Sequence, residues 1–130
     1  MAIAKIKYHS DDALKVINGP LTKELSIHLF NDEVRSKAHL FAVNGTLGRQ
    51  FAIVLGDFKK ETGRYARQQT RIVLERCDVP PLAGVELINE PYKSSRLKNQ
   101  DSKISPPNQS SVFVQDELAL KRLLRWYAGK

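Results

Sequence analysis

Residues 46–77 read TLGRQFAIVLGDFKKETGRYARQQTRIVLERC, and the way this stretch folds decides the architecture of the chain. Its first half has the i, i+4, i+7, i+8, i+11 spacing of one helical face. The residues at these positions are Leu47, Phe51, Val54, Leu55 and Phe58. The spacing predicts a helix over 47–61. Gly48 and Gly56 each weaken a helix by about 1 kcal/mol, so a strand centred on Phe51–Leu55 is the minor alternative.

Good helix formers over 64–76 predict a second helix, which ends before Pro80-Pro81. Steps of four, three and four residues would align four cations along one side of a helix, and we call these cations the basic ridge: Lys60, Arg64, Arg67 and Arg71. Guanidinium and ammonium groups in a row can contact phosphate oxygens, while Tyr65 and Gln68 could stack on bases or hydrogen-bond to them. The ordinary alternative is a solvated helix face.

The N-terminal part predicts a strand, a short helix and a second strand. Ile3–Tyr8 alternates between apolar and polar residues, as a half-buried strand does. Ser10 is placed to cap a helix of about two turns that ends at Gly19-Pro20. Leu25–Phe30 alternates again and predicts the second strand. His39–Val43 fits either a strand or part of a helical turn, and periodicity does not separate the two.

Downstream, Val85–Ile88 predicts a short strand, and residues 93–111 are rich in serine and poor in large apolar groups. Such a composition cannot bury a face, so a long mobile loop is expected at about 93–111. Its cations and the tyrosine at its base form the second candidate surface for a polyanion, which we call the basic loop: Tyr92, Lys93, Arg96, Lys98 and Lys103. The alternative is a soluble connector.

The chain finishes with an amphipathic helix predicted at about 116–127. Asp116 and Glu117 suit its N-terminal end, and lysine and arginine suit its C-terminal end. Its apolar stripe consists of Leu120, Leu123, Leu124 and Tyr127. We expect the stripe to pack on the chain's own sheet, with Trp126 as the residue that would mark a protein partner or a homo-oligomer if it were exposed.

Together these elements predict a single α+β domain over 1–130. It would have a small mixed sheet of about three or four strands covered by three or four helices, and one long basic loop.

Charge is the strongest global indication of function. The chain carries a net charge of +7. Residues 1–58 hold seven Lys or Arg against six Asp or Glu, whereas residues 59–130 hold fourteen against eight. A clustered positive field attracts polyanions, so nucleic acid, either DNA or RNA, is the expected partner.

Several classes are disfavoured by what the sequence lacks. Cys77 is the only cysteine, so neither an internal disulfide nor a standard structural zinc site is expected, and a cytoplasmic location fits. Beside Arg76 its thiol could have a lowered pKa, although a small buried side chain is the simpler interpretation. No secretory signal or membrane span is predicted. No nucleophile-elbow, metal-binding or nucleotide-loop motif occurs, so no catalytic residue, metal or cofactor is assigned.

The sequence therefore favours a small non-enzymatic nucleic-acid-binding accessory protein for replication, recombination, transfer or regulation. It would contact mainly the phosphate backbone through the basic ridge and the basic loop. The alternative is an assembly or protein-interaction subunit that uses the C-terminal helix and the basic loop.

Overall fold

The computed structural model describes residues 8–30, 38–56, 58–65, 69–89, 104 and 108–129, with the side chains of Phe58 and Tyr65 outside the description. In chain order its elements are α1 (Ser10–Asn18), α2 (Pro20–Glu24), β1 (His28–Leu29), β2 (Ala38–Ala42), β3 (Gln50–Val54), β4 (Phe58–Lys59), β5 (Arg64–Tyr65), β6 (Thr70–Glu75), β7 (Val85–Ile88), β8 (Gln109–Val114) and α3 (Glu117–Tyr127).

Six of the strands form one sheet in the order β1-β2-β3-β6-β8-β7, while β4 and β5 form a separate two-stranded hairpin. Every neighbouring pair in the large sheet is antiparallel. The predicted mixed sheet of three or four strands, covered by three or four helices, is therefore wrong. The described part of the chain is richer in strand than predicted, and its three helices contribute to the core on one face of the sheet.

The largest error concerns residues 47–76, where strands β3 to β6 replace the two predicted helices. All five residues of β3 and the first five of β6 are buried. A strand that is covered on both faces reads as a continuous apolar run, so its period of two is hidden. The alternative strand at Phe51–Leu55 was the correct interpretation, with β3 spanning Gln50–Val54.

The N-terminal predictions are partly confirmed. The helix after residue 9 is present as α1, but its cap is His9, whose Nδ1 accepts a hydrogen bond from the Asp11 amide at 3.1 Å, and Ser10 is already helical. The strand predicted at Leu25–Phe30 shrinks to β1, because Pro20 begins a second short helix that runs to the chain reversal near Ser26. Of Ile3–Tyr8, only Tyr8 lies within the described residues, and it belongs to no strand.

The ambiguous stretch His39–Val43 resolves as strand, since β2 spans Ala38–Ala42. The strand Val85–Ile88 and the C-terminal helix are confirmed as β7 and α3. The predicted loop at 93–111 is wrong at its C-terminal end, because Gln109 begins β8. None of the helices within the described ranges is long and apolar enough to cross a membrane.

The core lies on both faces of the sheet. On the first face the helices pack against the larger apolar side chains of the central strands, and the principal residues are Ile17, Leu21, Phe41, Phe51, Ile53, Leu74, Leu120 and Leu124. Phe41 and Phe51 stack at 5.2 Å between ring centroids. On the second face a smaller cluster joins Leu40, Ala52, Val54 and Val73 to Ile104. Because both faces carry apolar side chains, the sequences of the central strands do not alternate between apolar and polar residues.

Candidate functional site

The basic ridge does not exist as a helical row. Lys60 lies in the turn of the β4–β5 hairpin, Arg64 in β5 and Arg71 in β6, while Arg67 and Gln68 fall outside the described residues. A row of this kind requires one continuous helix through the four positions. In the structure a hairpin and a separate strand place these residues in different parts of the fold. Nucleic-acid binding by the individual residues stays a prediction. Their surroundings differ from one residue to the next.

Arg64 is engaged by two carboxylates of α1. Its Nε lies 3.3 Å from Asp11 Oδ2, and its Nη2 lies 3.5 Å from Asp12 Oδ2. The side chain of Arg64 is 47% exposed, so solvent screens these pairs and each contributes at most about 1 kcal/mol to stability. Their main consequence is positional, because they hold the β4–β5 hairpin against the first turn of α1. A phosphate that approached Arg64 would have to compete with both carboxylates.

Arg71 is part of the sheet. It is 8% exposed, and its Nη2 donates a hydrogen bond to Ser111 Oγ at 3.2 Å. In the ladders it stands opposite Val54 on one side and Phe113 on the other. A charge in such surroundings is costly to bury unless it keeps its hydrogen bonds, which makes Arg71 a structural cation of the second face. It is poorly placed to reach an external phosphate.

The hairpin tip presents two exposed lysines, of which Lys60 belongs to the predicted basic ridge and Lys59 does not. Lys59 and Lys60 are both exposed, and within the described ranges neither has an ion-pair partner. Gly63 donates its amide to the Lys59 carbonyl at 2.9 Å, which closes the turn. Gly63 has a φ of 68°, a left-handed conformation that glycine adopts without strain. The hairpin therefore presents two lysines without an ion-pair partner among the described residues, one at the end of β4 and one in the turn.

The cations and tyrosine of the basic loop, Tyr92, Lys93, Arg96, Lys98 and Lys103, lie outside the described residues, as does the side chain of Tyr65. Ile104 corrects the expectation that this region buries nothing. It is fully buried in the cluster on the second face, and its carbonyl accepts a hydrogen bond from Gln109 Nε2 at 2.8 Å. One isoleucine in a polar stretch was too weak a signal to predict an anchor.

The apolar stripe of α3 packs inward as predicted, since all four of its residues are buried. Trp126 is half-buried and packs against the same core, so it is not the fully exposed anchor that would mark a partner. The Arg125 guanidinium forms a two-point ion pair with Glu24 of α2, with the Nη2 to Oε1 distance at 2.9 Å. Lys121 pairs with Glu117 at 2.9 Å. The cations of α3 are thus largely engaged within the chain.

Two concave regions lie near the N-terminal ends of α1 and α3. A cleft of about 490 Å³ separates α1 from the hairpin and is lined by Asp11, Asp12, Lys15 and Arg64, among others. A smaller cavity of about 280 Å³ is lined by residues that include Tyr8, Glu86 and Gln115. Burial raises the pKa of Tyr8, and the nearby Glu117 carboxylate raises it further.

Metal ligands and the Cys77 thiol are the reactive groups that the described ranges allow to be placed. Within the ranges that the structure describes, no group of three or more His, Cys, Asp or Glu side chains is placed to hold a metal ion. Burial raises the pKa of the Cys77 thiol, and the positive charge of Arg49 only partly opposes this. The idea of a thiolate activated by Arg76 is therefore wrong, because desolvation outweighs the neighbouring cations.

A group of residues for which the sequence indicated no function lies at the end of the sheet where β3 begins and β6 ends. The Tyr127 hydroxyl donates to the Gln50 carbonyl and accepts from the Glu75 amide at 2.9 Å. The Arg49 guanidinium lies 5.4 Å from the centroid of the Tyr127 ring. The only sequence signal was a pair of strand-flanking arginines, which becomes visible once 50–54 and 70–75 are known to be strands.

No protein-family model, curated protein or solved structure matches this chain.

Proposed function

We propose that this chain is a small nucleic-acid-binding accessory protein that contacts the phosphate backbone, with the β4–β5 hairpin as part of its contact surface. The observation that carries the proposal is the hairpin tip, where Lys59 and Lys60 are exposed and free of ion pairs among the described residues. The net charge of +7 supports it, because a cationic protein gathers polyanions from solution.

In this proposal each lysine neutralises a phosphate and releases condensed counterions, which gives affinity without reading sequence. The Arg64 pairs with α1 fix the direction of the hairpin, so the lysines meet the backbone from a defined position. The basic loop adds Lys93, Arg96, Lys98 and Lys103 as further phosphate ligands, and Tyr92 as a stacking residue for an unpaired base. Such contacts serve replication, recombination, transfer or regulation without any catalytic group.

The experiment is a binding titration by fluorescence anisotropy with single- and double-stranded DNA and RNA at several salt concentrations. The double variant Lys59→Ala/Lys60→Ala should weaken binding to all sequences similarly and lower the slope of log K against log salt by about 0.7–0.9 per lost contact. The matched control for the single variant Lys60→Ala is Lys23→Ala, which removes an exposed lysine of α2.

The proposal fails if the wild-type protein binds none of the four nucleic acids at low salt. The hairpin assignment fails separately if Lys60→Ala and Lys23→Ala change the salt slope equally. A loop variant with Lys93, Arg96, Lys98 and Lys103 neutralised tests the remaining surface. It should retain its unfolding free energy while losing affinity, since solvated cations contribute little to folding.

Protein assembly through the C-terminal helix is the second candidate, and exposed apolar residues favour it. Leu118 in α3 is 60% exposed and Leu87 in the edge strand β7 is 61% exposed, while Trp126 is half-buried. Large apolar side chains in solvent can mark an interface. Replacing either Leu118 or Leu87 with Asp should shift the mass seen by light scattering if the chain forms a homo-oligomer. An unchanged monomeric mass in the wild type and both variants excludes self-assembly.

A further inference from the structure

The two strands at the centre of the sheet are flanked at one end by two arginines. The ladder pairs Phe51 with Leu74, and two residues farther along each chain stand Arg49 and Arg76, which share the face of Phe51 and Leu74 by strand alternation. Arg49 immediately precedes β3 and Arg76 immediately follows β6, and main-chain hydrogen bonds hold both positions. The Arg49 carbonyl accepts from the Val43 amide at 2.9 Å, and the Arg76 amide donates to the Asn108 carbonyl, just before β8, at 3.2 Å.

Tyr127 determines the geometry of this strand end. Its hydroxyl bridges the Gln50 carbonyl and the Glu75 amide, so an oxygen atom stands between two groups that would otherwise bond directly. Glu75 also accepts a hydrogen bond from the Gln50 amide through Oε2 at 2.6 Å. The ring of Tyr127 is thereby fixed, and it supports the Arg49 guanidinium by a cation–π contact at 5.4 Å. Arg49 is held in place while it remains exposed.

Neither arginine is neutralised within the described residues. Both are exposed, and no carboxylate there lies within ion-pair distance of either one, in contrast to Arg64 and Arg125. Two guanidinium groups that can reach the same point form a fork matched to an oxyanion, since each can donate two parallel hydrogen bonds to a phosphate.

We propose that Arg49 and Arg76, with Arg49 fixed on the Tyr127 ring, form a binding site for the terminal phosphate of a phosphomonoester. A terminal phosphate carries close to two negative charges at neutral pH, which two arginines balance, whereas an internal phosphodiester carries one. Asn108 follows Arg76 in the same row of the sheet, accepts its amide through the main chain and exposes an amide side chain beside the site. The proposal does not require that the chain bind nucleic acid.

The test is a titration monitored by ¹H–¹⁵N NMR at constant ionic strength. The probes are inorganic phosphate, ribose 5-phosphate and a dinucleoside that contains only an internal phosphodiester. The two monoester-type probes should give saturable shifts centred on Arg49, Arg76 and Asn108. The phosphodiester should bind at least fivefold more weakly. Arg49→Gln and Arg76→Gln should each weaken inorganic phosphate at least tenfold, because each removes a charge-assisted hydrogen-bonding group.

Two controls separate this site from general attraction to a basic protein. Lys23→Gln removes the same charge from exposed α2 and should leave the phosphate affinity within twofold of wild type. Arg49→Lys keeps the charge but loses the fork and the planar contact with Tyr127, so it should weaken phosphate by severalfold. Shifts that do not saturate, equal affinity for the phosphodiester, or an equal loss in Lys23→Gln would each overturn the proposal.

Discussion

Removing the hydroxyl of Tyr127 should destabilise the protein far more than removing the hydroxyl of Tyr8. Tyr127 is 2% exposed, and its hydroxyl is the partner of one carbonyl and one amide at the junction of β3 and β6. In Tyr127→Phe both main-chain groups lose that partner. An unpaired buried polar group costs about 1–3 kcal/mol, so with partial relaxation the unfolding free energy should fall by about 2–4 kcal/mol.

Tyr8→Phe is the matched control. The Tyr8 hydroxyl is buried and has no hydrogen-bond partner among the described residues, so its removal relieves a desolvated group. The unfolding free energy should stay unchanged or rise by about 1 kcal/mol. The same chemical change at two tyrosines is therefore expected to act with opposite sign.

Urea denaturation followed by tryptophan fluorescence measures both effects. With an m-value of about 1–3 kcal/mol per M, a loss of about 3 kcal/mol lowers the midpoint by roughly 1–3 M. Equal midpoints for Tyr127→Phe and wild type would show that β3 and β6 close and pair directly without the hydroxyl. That result would contradict the structural role assigned to the Tyr127 hydroxyl. A Tyr8→Phe variant that is less stable than Tyr127→Phe would contradict it as well.

Three further outcomes follow from the same structure. Burial raises the pKa of Tyr8 and Tyr127 above the ordinary 10.0 and that of Cys77 above 9.0, so stability should fall as the pH rises above about 9, by up to about 1.4 kcal/mol per pH unit for the mostly buried Tyr127 and by less for the partly exposed Tyr8, in pH-dependent urea titrations. Gly48→Ala should prevent stable folding, as circular dichroism would show, because a Cβ there would lie 1.6 Å from the Val43 carbonyl oxygen. Leu124→Ala should cost about 2–5 kcal/mol in the same denaturation assay, since its side chain is buried in the core, and a smaller loss would contradict its place there.

What could be predicted from the sequence depended on whether an element keeps one polar face. Helix α3 does, so the positions of its acidic start and its leucine stripe were correct. Strands β3 and β6 do not, because second-face residues such as Ala52 and Val73 are as buried as those beneath the helices. Strand β8 went unnoticed because its first residues, Gln109, Ser110 and Ser111, are polar and resemble loop.

The candidate site was predictable in charge but not in geometry. Lys60 and Arg64 do lie on one small hairpin, yet the turn at Gly63 that places them there was taken for a break between helices. Arg71 was assigned to solvent, whereas β6 carries it into the sheet. Arg49 and Arg76 are 27 positions apart along the chain. Only the register of β3 and β6 brings these two positions to the same end of the sheet.

The buried Ile104 gives the basic segment that precedes it a fixed end. The segment is bonded at one end to Asn89, which follows β7, and at the other to a residue whose side chain is fixed on the sheet. A chain with two tethered ends has fewer conformations than a free tail, and the entropy of bringing its ends together has already been lost on folding. Any polyanion that orders these cations therefore meets a smaller entropic penalty than a free tail would impose. Because β7 and β8 pair with each other, they would close this loop in any case, and the buried Ile104 closes it sooner along the chain.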